Sequence, residues 1–161
     1  MELEFEKDVD DIETPVLLAE GWKKLEILVE PTLEKNNALK EQEKSEVMNP
    51  DAGFNFSCRL AIVSDDPMFN GRMFFLRLPF PNSQDEKEYT SRGVKKYDEK
   101  MERIVKFVEA FGGTISGRRA VVNKGAQGRA YLLQQINKLT GEVENQIDIF
   151  NRDGFKKAEE V

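Results

Sequence analysis

The sequence predicts a mainly β domain with one helix, built from five or six short strands with the helix after the third. Three observations carry that expectation. The runs Trp22–Val29, Phe54–Val63 and Arg72–Leu78 alternate with the period of two that half-buried strands need. A single stretch, about residues 95–111, carries apolar residues at helical spacing. Turn chemistry separates most of these runs, as at Asp65-Asp66-Pro67, Asn70-Gly71 and Gly112-Gly113.

Taken in order, residues 1–20 form an acidic arm with sparse apolar residues, interrupted by Glu13-Thr14-Pro15. Gly21 opens the first strand, in which Leu25, Ile27 and Val29 share one face and Trp22, Lys24, Glu26 and Leu28 the other. Glu30-Pro31 is expected to end it. Residues 32–53 read as a long mobile loop. In the second strand Phe54, Phe56, Cys58, Leu60 and Ile62 point to the core, while Asn55, Ser57, Arg59, Ala61 and Val63 point away. In the third, Phe74, Leu76 and Leu78 oppose Met73, Phe75 and Arg77. The helix stripe is Tyr97, Met101, Ile104, Val105, Val108 and Phe111, and Gly112-Gly113 ends it. Strands at 118–122, 129–136 and 145–150 finish the domain, joined by turns at 123–128 and 138–141. The domain is thus residues 21–150, and residues 151–161 read as a short frayed tail.

The chain has 161 residues, enough for one domain with its own core, and 39% apolar against 34% charged residues indicates a soluble fold. No apolar run approaches the ~20 residues of a membrane span. The acidic start lacks the basic and apolar regions of a signal peptide, so a cytoplasmic location without membrane contact is expected. Cys58 is the one cysteine and there is no histidine. An internal disulfide, Ser-His or Cys-His nucleophilic chemistry and a thiolate–imidazole zinc site are therefore excluded. Carboxylate–magnesium chemistry survives this cut. However, Asp65-Asp66 reads as a turn, and Glu142, Glu144 and Asp148 lack an evident lysine partner. The expectation is a non-enzyme without cofactor or metal.

Charge is distributed unevenly. Lys and Arg total 24 against 30 acids, a net −6. Residues 1–14 hold seven acids and one lysine, so they carry −6 and the remainder sums to zero. Residues 92–138 hold eleven bases and four acids, a balance of +7. An acidic head beside a basic body points to a polyanion-binding surface, over which the head can lie and compete. The element order is that of an oligonucleotide/oligosaccharide-binding barrel, in which the face around strands two and three holds single strands. Trp22 and Phe75 would stack on bases while Lys24, Arg59 and Arg77 meet phosphates. Arg118, Arg119, Lys124 and Arg129, with the flexible backbone of Gly125 to Gly128, form a second candidate surface. The helix cations read as solvated.

From Gly21 to Phe150 the chain also resembles a family of small phage-encoded domain-of-unknown-function proteins found among replication and recombination genes. The residues that carry the likeness are Glu20-Gly21-Trp22-Lys23-Lys24-Leu25-Glu26-Ile27, Phe69-Asn70-Gly71-Arg72, and Ile104-Val105-Lys106-Phe107-Val108-Glu109-Ala110-Phe111-Gly112. Ile115-Ser116-Gly117-Arg118-Arg119-Ala120-Val121-Val122 and Thr140-Gly141-Glu142-Val143-Glu144-Asn145-Gln146-Ile147 complete it. The loop at 32–53 and the Gly-Ala-Gln-Gly insert at 125–128 depart from the pattern. The resemblance implies a barrel that binds single-stranded DNA largely without sequence preference. The alternative is a phage interaction or structural protein that uses the same barrel to hold a protein. Beside single-stranded DNA, replication or recombination proteins are expected partners through acidic residues 1–14, and a homo-oligomer is compatible with both readings.

Overall fold

The computed structural model describes residues 1–11, 16–35, 54–117, 119–150 and 154–160. Eight strands and one α-helix are found among them: β1 (Gly21–Lys35), β2 (Phe54–Ile62), β3 (Met73–Pro79), α1 (Lys96–Ala110), β4 (Thr114–Ser116), β5 (Arg119–Val121), β6 (Gln127–Ile136), β7 (Val143–Ile147) and β8 (Phe155–Lys157). The helix follows the third strand, as the sequence predicts.

The main sheet is antiparallel, in the order β3-β2-β1-β6-β7, with β8 also paired to β6. β4 and β5 make a separate two-stranded sheet. The main sheet is open, with β3 and β7 as its end strands, whereas the sequence suggested a closed barrel. Its inner face carries Leu25 and Ile27 from β1, Cys58, Leu60 and Ile62 from β2, Leu76 and Leu78 from β3, and Ala130 and Leu132 from β6, all buried. Into this face α1 inserts Ile104, Phe107 and Val108, followed by Phe111. The Phe107 ring lies 4.6 Å from Phe111 and edge-on to Phe56 at 5.6 Å and Phe155 at 5.3 Å. Gly112, at φ +70°, then turns the chain out of the helix.

Several elements differ from expectation, each for a physical reason. β1 continues through Pro31 to Lys35. Register shifts between Ile27 and Val29 and between Val29 and Thr32 accommodate the proline, and beyond Glu26 β6 no longer pairs with β1. The first shift rotates Val29 outward, so it is 50% exposed instead of sharing the face of Leu25 and Ile27. The rest of the expected loop, 36–53, and the Glu13-Thr14-Pro15 break lie outside the described residues. Two short strands hinged at Gly117, φ +60°, stand where one strand at 118–122 was expected. The expected frayed tail contains β8, because Phe155 has an aromatic cluster to pack on.

The arm is also tied down. Leu18 is 4% exposed. Its N–H donates to Asn145 Oδ1 at 2.9 Å, and its carbonyl accepts from Asn145 Nδ2 at 2.9 Å and Gln134 Nε2 at 2.8 Å. One side-chain amide thus reproduces a backbone pairing. The Arg72 guanidinium donates to the Val16 carbonyl. No helix among the described residues is long and apolar enough to cross a membrane.

Gly128 belongs to β6, opposite Leu25, and not to a turn. A Cβ there would meet the Phe111 ring at 2.8–2.9 Å, and that ring is itself buried. Gly128→Ala is therefore expected to destabilise the fold by roughly 1–3 kcal/mol through overpacking. A urea midpoint unchanged from wild type would show that Phe111 has room to move.

Candidate nucleic-acid interface

Strand alternation sends every second side chain of the main sheet away from α1. On β2 and β3 Arg59, Met73, Phe75 and Arg77 are exposed, whereas Ser57 and Ala61, expected on the same outward face, are buried. Arg59 and Phe75 are cross-strand partners, and Arg77 follows on β3 opposite Ser57. The two guanidinium carbons lie 5.1 and 5.5 Å from the centroid of the Phe75 ring. That ring is 57% exposed. An aromatic surface flanked by two fixed cations results, with cation–π contact holding the arginines in place.

A second cluster occupies the outer face of β1, β6 and β8. Trp22 stands opposite Tyr131, with ring centroids 5.6 Å apart at 86°. Lys24 stands opposite Arg129, and Arg129 opposite Lys156. Lys156 Nζ lies 4.3 Å from the Trp22 centroid. Arg129 Nε donates to the Ala158 carbonyl at 2.8 Å, which orients its guanidinium. An open cavity of about 590 Å³ borders this cluster, lined by Leu18, Trp22, Lys24, Asp65, Phe69 and Arg129. Along β1 the clusters are separated by the seven residue steps from Trp22 to Val29, which faces Arg59. At a strand's rise that is roughly 20 Å.

The structure therefore brings Arg59, Phe75 and Arg77 together, and Trp22, Lys24 and Arg129 together. It places Arg119 on β5 and Lys124 in the turn between β5 and β6; Arg118 lies outside the described residues. The Gly125 N–H is used within the fold, donating to the Ile27 carbonyl at 2.8 Å. Tyr131 and Lys156 belong to the site although sequence reasoning passed over them. Tyr131 had a signal, since it sits two residues after Arg129 in an alternating run. Lys156 had none, because the pairing of β8 depends on tertiary contact.

The pattern of ion pairing separates these cations from those of the helix. Lys95 meets Glu86 at 2.9 Å, Lys96 meets Glu88 at 2.7 Å, Lys100 meets the buried Asp85 at 2.9 Å, Arg103 meets Glu99 at 3.2 Å and Lys106 meets Glu102 at 3.3 Å. The hydrogen bond from Lys96 holds the Glu88 carboxyl below its usual pKa, and the same bond raises that of Lys96. Asp85, Glu86 and Glu88, which lie outside residues 92–138, thus offset three of that stretch's seven excess positive charges at the helix, where solvated cations were expected. Among the described residues, Lys24, Arg59, Arg77, Arg129 and Lys156 have no carboxylate within ion-pair distance.

No group of three or more acidic or cysteine side chains among the described residues is arranged to hold a metal ion. Asp66 caps its own turn by accepting from the Met68 N–H. Glu144 accepts from Gln146 and Asn137, which lowers its pKa. Compared with protein-family models and with curated proteins, the chain matches none.

Cys58 is 3% exposed on the inner face, and burial pushes its thiol up to about 12. At pH 8 the thiol then stays protonated, and the thiolate is the reactive form. Cys58 is expected to resist a thiol-titrating disulfide reagent at pH 8 in the native protein and to react once denatured. Native labelling as fast as a free thiol would contradict the assigned packing.

Proposed function

We propose that this protein binds single-stranded DNA, largely without sequence preference, as part of phage-type DNA replication or recombination. The observation that carries the reading is the exposed Phe75 ring flanked by Arg59 and Arg77, two cations without acidic partners among the described residues. Every nucleobase has a face that can stack on such a ring, and each cation can meet a phosphate. A duplex hides its base faces, so this surface discriminates by strandedness.

Three further points support the reading. The second cluster, around Trp22 and Tyr131, repeats the same combination of ring and cation on the same face of the sheet. The order β3-β2-β1-β6-β7, with its helix after β3, is consistent with an oligonucleotide-binding barrel opened along one seam. The likeness of residues 21–150 to small phage proteins of replication and recombination clusters suggests the setting.

The test is a titration of a short oligothymidylate and a duplex of equal length across a salt series. Single strands are expected to bind more tightly. The slope of log affinity against log salt is expected to steepen by about 0.7 for each phosphate neutralised. Phe75→Ala should weaken binding by roughly 1–3 kcal/mol, the usual effect of losing one stacked base, with little change in thermal stability. Arg59→Ala and Arg77→Ala should weaken binding and also flatten the slope. Leu76→Ala, one residue further and fully buried, should instead cost roughly 2–5 kcal/mol of stability. Equal affinity for duplex, or a salt-independent interaction, would overturn the reading.

A further inference from the structure

The outer face of β2 holds one side chain that a platform of ring and cations does not explain. Ser57 shares this face with Arg59, two residues along, yet it is only 8% exposed. Its Oγ is closed off from solvent and has no hydrogen-bond partner among the described residues. A hydroxyl in this state loses its bonds to water and gains none in return, so serine costs the free protein more here than alanine would. Native proteins leave few buried polar groups unpaired, and each such group needs a reason.

The strand register supplies one. Ser57 stands opposite Thr32 on β1 and opposite Arg77 on β3. Paired residues point to the same side of a sheet, so Thr32, Ser57 and Arg77 form a row of two hydroxyls and a guanidinium across three strands. Two residues along β2, about 7 Å away, the next row is Val29, Arg59 and Phe75. Arg59 and Arg77 thus sit at diagonal corners of the two rows. Their guanidinium carbons lie 5.1 and 5.5 Å from the Phe75 centroid. Neither has a carboxylate within ion-pair distance among the described residues. In the other direction the row is Glu34, Asn55 and Pro79, which carries a carboxylate and no cation. Cations and hydroxyl donors therefore converge around Ser57, and negative charge bounds them on the far side.

We propose that the Ser57 hydroxyl, with Thr32 and the guanidiniums of Arg59 and Arg77, holds one backbone phosphate of a bound single strand, while the base of that nucleotide stacks on Phe75. This rests on the single-strand reading and gives the phosphate its place within it. The charged oxygens of a phosphodiester only accept hydrogen bonds, and each of these four side chains can donate one. Arg59 and Arg77 are long and exposed, so they can turn toward an arriving phosphate and open the space over Ser57. The hydroxyl then gains a charge-assisted bond, stronger than a neutral one. The spacing of the two rows lets a single nucleotide bridge them, with its base at Phe75 and its phosphate at Ser57.

The test titrates the full chain with oligothymidylate and with an abasic oligomer of the same length, at low salt. Ser57→Ala is expected to leave the thermal midpoint of the free protein unchanged or raised, because the hydroxyl has no partner to leave behind. It should weaken oligothymidylate binding roughly tenfold, the usual effect of losing a hydrogen bond to a charged group. The slope against salt should stay that of the wild type, since no charge is removed. Thr32→Val should act in the same direction. On the abasic oligomer Ser57→Ala should keep its effect, whereas Phe75→Ala should lose most of its own. Wild-type affinity of Ser57→Ala for oligothymidylate overturns the phosphate site and leaves the single-strand reading standing. An effect that vanishes on the abasic oligomer, or no binding of that oligomer, also overturns it, because the hydroxyl then acts through the ring. A clearly lowered midpoint does the same, since the hydroxyl would already be bonded within the fold. A wild-type chain that binds neither oligomer overturns both.

Discussion

The packing of the Phe107 and Phe111 rings against the inner face of the sheet is the contact on which the remaining architecture depends. Phe107 touches the rings of Phe56, Phe111 and Phe155, which come from β2, the end of α1 and β8. Three segments far apart in sequence are thereby fixed to one point. Phe111 can approach only because position 128 has no side chain, so a glycine in β6 sets the depth at which the helix sits. The helix in turn positions the β4–β5 hairpin, since the Gly113 backbone lies against Val108 and Val121. An open sheet could not hold its curvature by backbone bonds alone. The aromatic wedge supplies apolar area where no β3–β7 ladder is found among the described residues.

Once the inner face is filled, alternation leaves no choice about the outer one. Leu76 and Leu78 must face inward, so Phe75 and Arg77 face solvent. The same logic on β2 exposes Arg59 directly opposite Phe75. The two basic populations of the chain then have different fates. Helix cations find carboxylates at short range, along the helix itself or on the Ser83–Lys87 turn packed against it. Sheet cations have aromatic rings and carbonyls as neighbours. Fixing a long side chain over a ring costs rotamer entropy, yet leaves the charge available to an external anion.

The sequence made this division readable where the periodicity was strict. The phases of β2 and β3 follow directly from Phe54–Ile62 and Met73–Leu78, and the faces of Arg59, Phe75 and Arg77 with them. The stripe from Tyr97 to Phe111 located α1 to within a residue at either end. Legibility ended where local and tertiary preferences diverge. Pro31 argues locally against a strand, but a register shift on a stretch lacking β6 removes the cost of its missing N–H. The glycine at position 128 looks like turn chemistry beside Gly125, and only the ring above it shows otherwise. Phe155 and Lys156 sit among polar neighbours with no periodic signal. Their strand exists because Phe107 offers an aromatic surface to Phe155.

The row Lys24, Arg129 and Lys156 bears most directly on what the outer face is for. These residues stand directly opposite one another on adjacent strands, an arrangement that typically costs some tenths of a kcal/mol to about 1 kcal/mol for each like-charged pair. The Ala158 carbonyl relieves Arg129, and the Trp22 ring relieves Lys156. Lys24 has no comparable partner among the described residues. Threonine or glutamine at any of the three positions would satisfy the strand and remove the repulsion. A fold optimised for stability alone would not keep three aligned cations beside an indole. An external anion laid along this row would turn the repulsion into attraction at all three positions, while Trp22 and Tyr131 offer ring surface beside it.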